Sequence, residues 1–370
     1  MPEFGRVVEP LPRLRLPLDR KAWLAGHTES GPVVPRARLF ANGVLISRND
    51  YLGFHSHGLE RELWSHPITG LNGALELIDG PGETVLYKLG TVVTQYEVQS
   101  GVIRRSIDTR SQAFLVACSQ HNFLLMSLDD TTLLAFDWSG NEIWRSDYQG
   151  YCNILSTPDK YVVVEMSTKL RVMAADSGRV LWRFEADKTG DKGPQDHSNH
   201  LVPGFPSVVF LRGELMTIMG DGRIFKRDLM TGELVQQGQT PFRGPYQVSG
   251  ESIFILNKHQ GQFTEYNHLL MEETKREDLK EALKMFGDPL INALLVIDEA
   301  LIWTTMEGTL MGLERQAKPG EKRLAWLDPL GTSMPIGVPP AASAGSMYYP
   351  AMSLNPKVRI GLICYQSASV

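Results

Sequence analysis

The sequence predicts an all-β chain, an eight-bladed β-propeller of four-stranded antiparallel blades, and three observations carry that reading. A two-strand hairpin motif recurs at about forty-residue intervals. A pair of short apolar runs precedes most copies of the motif. Each end of the chain holds only part of one such unit, and the two parts complete each other.

The motif is clearest in "LLAFDWSGNEIWRSD" (133–147) and "RVMAADSGRVLWRFEAD" (171–187). Each reads as a strand, a tight turn at Ser-Gly and a second strand, with glycine supplying the positive φ such turns need. "FKRDLMTGELVQQ" repeats it at Asp228 and Gly232, and "TQYEVQSGVIRRS" at Gly101 with Glu97 for the aspartate. "FHSHGLERELW" ends at Trp64, "FTEYNHLLMEE" lacks the glycine, "MGLERQAKPGEKRLAW" has a longer turn, and "LRLPLDRKAWLAG" is a compressed copy. Aligned on their last strands, these copies match Trp23, Trp64, Arg105, Trp144, Trp182, Gln236, Glu272 and Trp326. The steps are 41, 41, 39, 38, 54, 36 and 54 residues, a four-stranded blade each with two insertions.

The inner strands lie upstream of the hairpins. "FLVACS" with "FLLMSLDD", "NILST" with "YVVVEMS", "SVVFL" with "ELMTIM" and "ALLVID" with "ALIWTTM" are short runs rich in Val, Ile, Leu and Phe. Such runs suit strands buried between stacked sheets. "SMYYPAMSLNPKVRIGLICYQSA" reads as two inner strands with nothing after them, and "LRLPLDRKAWLAG" as two outer strands with nothing before them. Together they make one blade closed by both termini, which leaves no open sheet at the join. The alternative is seven blades with the termini packed outside. Five of the seven tryptophans fall at one phase of the repeat, where each ring can cover the neighbouring blade. They are therefore read as structural.

Residues 1–370 are read as a single propeller domain. The chain is 42% hydrophobic and 21% charged, with a net charge of −5 that is not gathered into blocks. No basic stripe marks a nucleic-acid surface, so that partner class is excluded. Cys118, Cys152 and Cys364 form no CxxC pair and sit in apolar runs, as buried free thiols of a reducing compartment do. The first residues show neither an apolar leader core nor a lipidation cysteine, and no run reaches the ~20 apolar residues of a spanning helix. The expectation is a cytoplasmic protein without membrane insertion. No feature sets an oligomeric state.

At "AFDWSGNEIW", "MAADSGRVLW" and "KRDLMTGELV" the chain resembles the quinoprotein-like (PQQ-repeat) β-propellers, whose repeat runs through Ala and Asp to [Ser/Thr]-Gly and Trp. The resemblance implies an eight-bladed, funnel-like ring. Its dehydrogenases bind pyrroloquinoline quinone with calcium and often carry adjacent cysteines, which this chain lacks. Its non-enzymatic branch, which includes a propeller lipoprotein of bacterial outer-membrane assembly, uses the ring as a docking surface. The resemblance therefore implies the non-enzymatic branch and no cofactor.

Function on a propeller resides in what is added to the blades. The insertions at 185–205 and 272–290 both follow an outermost strand and lead to the next innermost one, so both emerge on one rim. A third, 315–323, lengthens an outer hairpin and projects from the opposite rim. Residues 274–287 read as a helix: Thr274 and Glu277 form a capping box, Leu279, Leu283 and Phe286 share a face, and Gly287 ends the run. The candidate partner-binding residues are Lys188, Asp191, Lys192, Asp196, His197 and His200 in the first insertion, and Lys275, Arg276 and Lys280 in the second.

Asp196, His197 and His200 have no matching second pair of ligands, so they are read as a solvated loop rather than a metal site. His55 and His57 are read as one face of a strand on an outer blade surface. "MGDGRIF" is a turn between strands; no helix follows it to hold a phosphate. Two functions remain. The first is a non-catalytic protein-docking propeller, in an assembly or a toxin-immunity role, with another protein as partner. The alternative is a small PQQ- or metal-dependent oxidoreductase using the central funnel, which the apolar innermost strands disfavour.

Overall fold

The computed structural model describes residues 12–16, 18–25, 27–28, 31–32, 35–48, 51–68, 76–127, 131–147, 152–156, 161–166, 169–185, 208–211, 213–219, 222–240, 246–257, 260–281, 284, 294–305, 309–315, 324–329, 340–343, 345–353 and 359–367. The chain is an all-β, eight-bladed β-propeller. Seven blades are consecutive four-stranded antiparallel sheets over 36–67, 76–108, 114–147, 152–185, 208–239, 246–278 and 295–329. We number them one to seven. Blades two to five form one compact unit; blades one, six, seven and eight belong to a second.

Blade eight is the composite. Its three inner strands come from the C-terminal region, Ala341–Ser343, Ser346–Ser353 and Arg359–Ser367, and its outermost from the N-terminal region, Leu18–Ala25. The sequence pattern suggested two strands from each end; the division is three and one. Leu14 and Leu16 lie outside any strand and instead pack, with Leu18, onto the core between blades seven and eight. The eightfold count holds, since Leu18 pairs with Ser367 and Ala25 with Gly361. One carboxylate binds the join: Asp328 of blade seven accepts from Arg20 Nε at 2.6 Å and from Tyr365 Oη at 2.8 Å.

Within each blade the second strand is the most buried. Val44–Ile46, Val85–Leu86, Phe123–Leu125 and Ala300–Thr304 are almost wholly shielded from solvent, while outermost strands alternate exposed and half-buried residues. That gradient is what sheets stacked face to face around an axis require, since the outer ends splay apart. The hairpin glycines behave as the repeat predicts. Gly140, Gly178 and Gly232 have φ of +88°, +66° and +75°. Where blade six lost its glycine, Met271 adopts φ +55° instead, and Asn267 Oδ1 accepts from the amides of Leu269 and Leu270. Asp228 does the same for Met230 and Thr231, so the turn survives loss of its signature.

Every outermost strand also carries a register shift against its neighbour. The extra residue is Leu63, Arg104, Ile143, Leu181, Val235, Thr274, Ala325 or, in the composite blade, Lys21. A bulge adds one residue and increases local twist. The residue after the bulge is the one equivalent to Trp144. In blade six that residue is Lys275, not Glu272, and in the composite blade it is Ala22, not Trp23.

Candidate functional site

In blades two, three, four and six the residue following the bulge contacts the next blade. Trp144 Nε1 donates to Ala175 O at 2.8 Å, and Trp182 Nε1 to Leu229 O at 2.9 Å. In each case the indole lies on the next hairpin's glycine. A Cβ at Gly178 would come within 2.7 Å of the Trp144 ring, and one at Gly232 within 2.6 Å of Trp182. Glycine is required twice over there, for positive φ and for the indole to fit. In blade two the position is Arg105, whose guanidinium lies 4.9 Å from the ring of Trp138 on the next hairpin. In blade six Lys275 Nζ donates to Arg315 O at 2.5 Å, as the indoles do elsewhere. These locks hold neighbouring blades within each unit at fixed angles.

This geometry reassigns part of the predicted binding surface. Glu272–Asp278 is the outermost strand of blade six, paired with Gln262–Asn267. The helix predicted from Thr274 therefore does not form there. Thr274 Oγ1 donates to Glu265 O at 3.1 Å rather than capping a helix. The run of Glu, Lys and Arg favours helix locally, but the fourth ladder of the blade outweighs that preference. Half-burial at Lys275 and Glu277 alternates with exposure, the period of a strand. Helical backbone occurs only beyond, at Lys280, Glu281 and Lys284.

Lys275 is thus an inter-blade lock, paired also with Glu277. Arg276 is exposed and paired with Glu273 at 2.5 Å, and Lys280 is exposed beside Asp278. Lys188, Asp191, Lys192, Asp196, His197 and His200 lie outside the described residues, as do Leu283, Phe286 and Gly287.

His55 is not on an outer surface. It belongs to the third strand of blade one, is 6% exposed, and shares a face with Tyr51 and Glu62. His57 lies past the strand end, in a short 3-10 turn. Tyr51 Oη donates to Glu62 Oε2 at 2.6 Å, so the 2.6 Å contact with His55 Nε2 requires that nitrogen to carry the proton. Ser65 Oγ donates to the other Glu62 oxygen. Donation from Tyr51 and Ser65 holds the Glu62 carboxyl below its ordinary range, and burial holds the His55 imidazole below its own.

Both shifts act in one direction. The unfolded chain takes up protons that the folded chain refuses, so stability falls as pH drops through the ordinary histidine range and then the carboxylate range. Denaturation midpoints at pH 7.5 and 5.5 should show that loss, and His55→Gln should flatten the slope. An unchanged slope in the variant would remove His55 from the account.

The free thiols of Cys118 and Cys364 are buried as expected, Cys364 with its pKa pushed up to about 12 by desolvation. Among the described residues no group of three or more His, Cys, Asp or Glu is placed to hold a metal. No helix among them is long and apolar enough to cross a membrane.

The class defined by these features is the eight-bladed propeller whose hairpins are locked by tryptophan or its substitutes. No family model matches the chain, and no curated protein matches it in sequence. Among solved structures the fold is similar to BamB from Moraxella catarrhalis, with 12% identity and a TM-score of 0.60 over 95% of this chain and 100% of that one. It is also similar to the computationally designed Ika8 protein, with 13% identity and a TM-score of 0.57 over 96% and 99% of the two chains. These likenesses show the fold.

Proposed function

We propose that this chain is a non-catalytic, protein-docking propeller of the non-enzymatic PQQ-repeat-like branch. One observation carries the reading. Among the described residues the exposed large apolar side chains favour one part of the blade. All but Phe114 lie in outer hairpins or outermost strands, among them Val102, Ile103, Met230, Leu234, Val235 and Leu270. Apolar exposure on outer hairpins and outermost strands, on a scaffold with locks between blades, supports a macromolecular partner, because little order has to be created on binding. The charged connections follow outermost strands, at the strand ends away from those hairpin turns, and are a separate charged surface of the same reading: Lys188, Asp191, Lys192, Asp196, His197 and His200 after blade four, and Arg276 and Lys280 around the end of blade six.

An assembly platform and a toxin-neutralising protein both work this way, and the identity of the protein that co-purifies from the native source separates them. Deleting 186–203, and separately reversing Arg276 and Lys280 to glutamate, is expected to lose that partner while the melting temperature stays put. Lys275 is left intact in the second variant because it joins two blades. Full retention in both would place docking elsewhere, and dehydrogenase turnover after adding pyrroloquinoline quinone and calcium would replace the reading with the oxidoreductase one.

A further inference from the structure

Two arginines face each other across the outer ladder of blade four. Arg171 of the third strand is paired directly with Arg183 of the outermost. Their side chains therefore leave one face of the sheet from Cβ atoms about 5 Å apart. Trp182 points from the opposite face to blade five, so Arg171 and Arg183 face blade three. Arg171 is half-buried and held there: its Nη1 donates to Asp147 O at 3.0 Å and to Ser146 Oγ at 3.4 Å, at the end of blade three's outermost strand. Arg183 is exposed. Like charges set opposite each other on a sheet repel. Burial, and then the charge of Arg183, hold the Arg171 guanidinium below its ordinary range.

The other blades show how far blade four departs from the repeat. In each, the second residue after the bulge is paired with one on the third strand. Leu134 faces Arg145 in blade three and Thr264 faces Arg276 in blade six, and the corresponding pairs of the other five blades hold no cation. Arg145 and Arg276 are each neutralised by a carboxylate three residues earlier, Glu142 at 2.7 Å and Glu273 at 2.5 Å. In blade four that place is Val180, and Glu185, two residues past Arg183, pairs with Lys169 at 3.3 Å. Among the described residues the Arg183 guanidinium has no carboxylate partner and Arg171 Nη2 no acceptor.

We propose that Arg171 and Arg183 bind a dianionic phosphate group, free or esterified to a small molecule, at the seam of blades three and four. A single carboxylate is met in this protein by one arginine, whose Nε and Nη2 take its two oxygens. Arg145 does so with Glu142 at 2.7 and 2.9 Å, and Arg20 with Asp328 at 2.6 and 2.5 Å. Two guanidiniums without a carboxylate between them match a group that carries two charges and three acceptor oxygens. Such a site goes beyond the docking reading and does not depend on it.

The test titrates the full chain with inorganic phosphate at about pH 8, where the anion is doubly charged, with ionic strength held constant by sodium chloride. Calorimetry should show saturable binding, and the melting temperature should rise with it. Arg183→Gln should weaken binding about tenfold and leave the phosphate-free melting temperature unchanged. Arg183→Glu sets a carboxylate opposite Arg171, so it should abolish binding while raising the phosphate-free melting temperature. Arg145→Gln removes the matching arginine of blade three, which faces away from blade four, and should leave phosphate affinity as it was. Acetate should bind at least about tenfold more weakly than phosphate, since it offers one charge. Phenyl phosphate binding tighter than inorganic phosphate would make the ligand an ester, and the reverse order would make it the free anion. No saturable binding, unchanged affinity in both Arg183 variants, an equal loss in Arg145→Gln, or acetate binding as tight as phosphate would each overturn the proposal.

Discussion

Replacing Trp144 by alanine is expected to destabilise the protein by about 3–5 kcal/mol, the cost of emptying a buried indole site. Trp144 is 8% exposed and belongs to the buried cluster shared by blades three and four, which includes Met173 and Ala175. Its removal also leaves the Ala175 carbonyl without the indole donor. The urea midpoint reports the loss. Ile143, the neighbouring bulge residue, is 41% exposed, and Ile143→Ala should stay within about 0.5 kcal/mol. Equal effects from the two would mean that the indole is not a lock.

Gly178→Ala is expected to cost about 2–5 kcal/mol from two separable sources. A side chain at φ +66° costs about 1–2 kcal/mol, and forcing a methyl to within 2.7 Å of the Trp144 ring adds the overpacking share, about 1–3 kcal/mol. The sources separate in a double-mutant cycle. With Trp144→Ala already in place the methyl has room, so Gly178→Ala should then cost only the conformational share. Strict additivity would show that the glycine serves the turn alone.

The fold was legible because a blade is a supersecondary unit with its own period. Residues 133–147 and 171–187 announce a repeat, and the partial units at the two ends announce closure. The misplaced positions have a physical source. Trp144 stands four residues past Gly140 and Lys275 four past Met271, but Met271, at φ +55°, carries no mark of a turn in the sequence. The equivalent place was therefore set at Glu272, and Lys275, a blade lock, was mistaken for a surface charge; in the composite blade no hairpin leads into Ala22, and the count fell on Trp23. The helix drawn over 274–287 began too early because local propensity cannot report a waiting ladder. His55 was misplaced since a polar residue in a third strand looks like any solvent-facing alternate until its partners, Tyr51 and Glu62, are seen on the same face.

The three-to-one composition of blade eight has a consequence for biogenesis. Leu18 is made well before Ser367, with which it pairs about 350 residues further along the chain. At about 5–20 residues per second the delay is on the order of 20–70 s. Throughout that interval the N-terminal strand has no native hydrogen-bonding partner, so nascent chains stalled before Arg359 should be the species that chaperones hold.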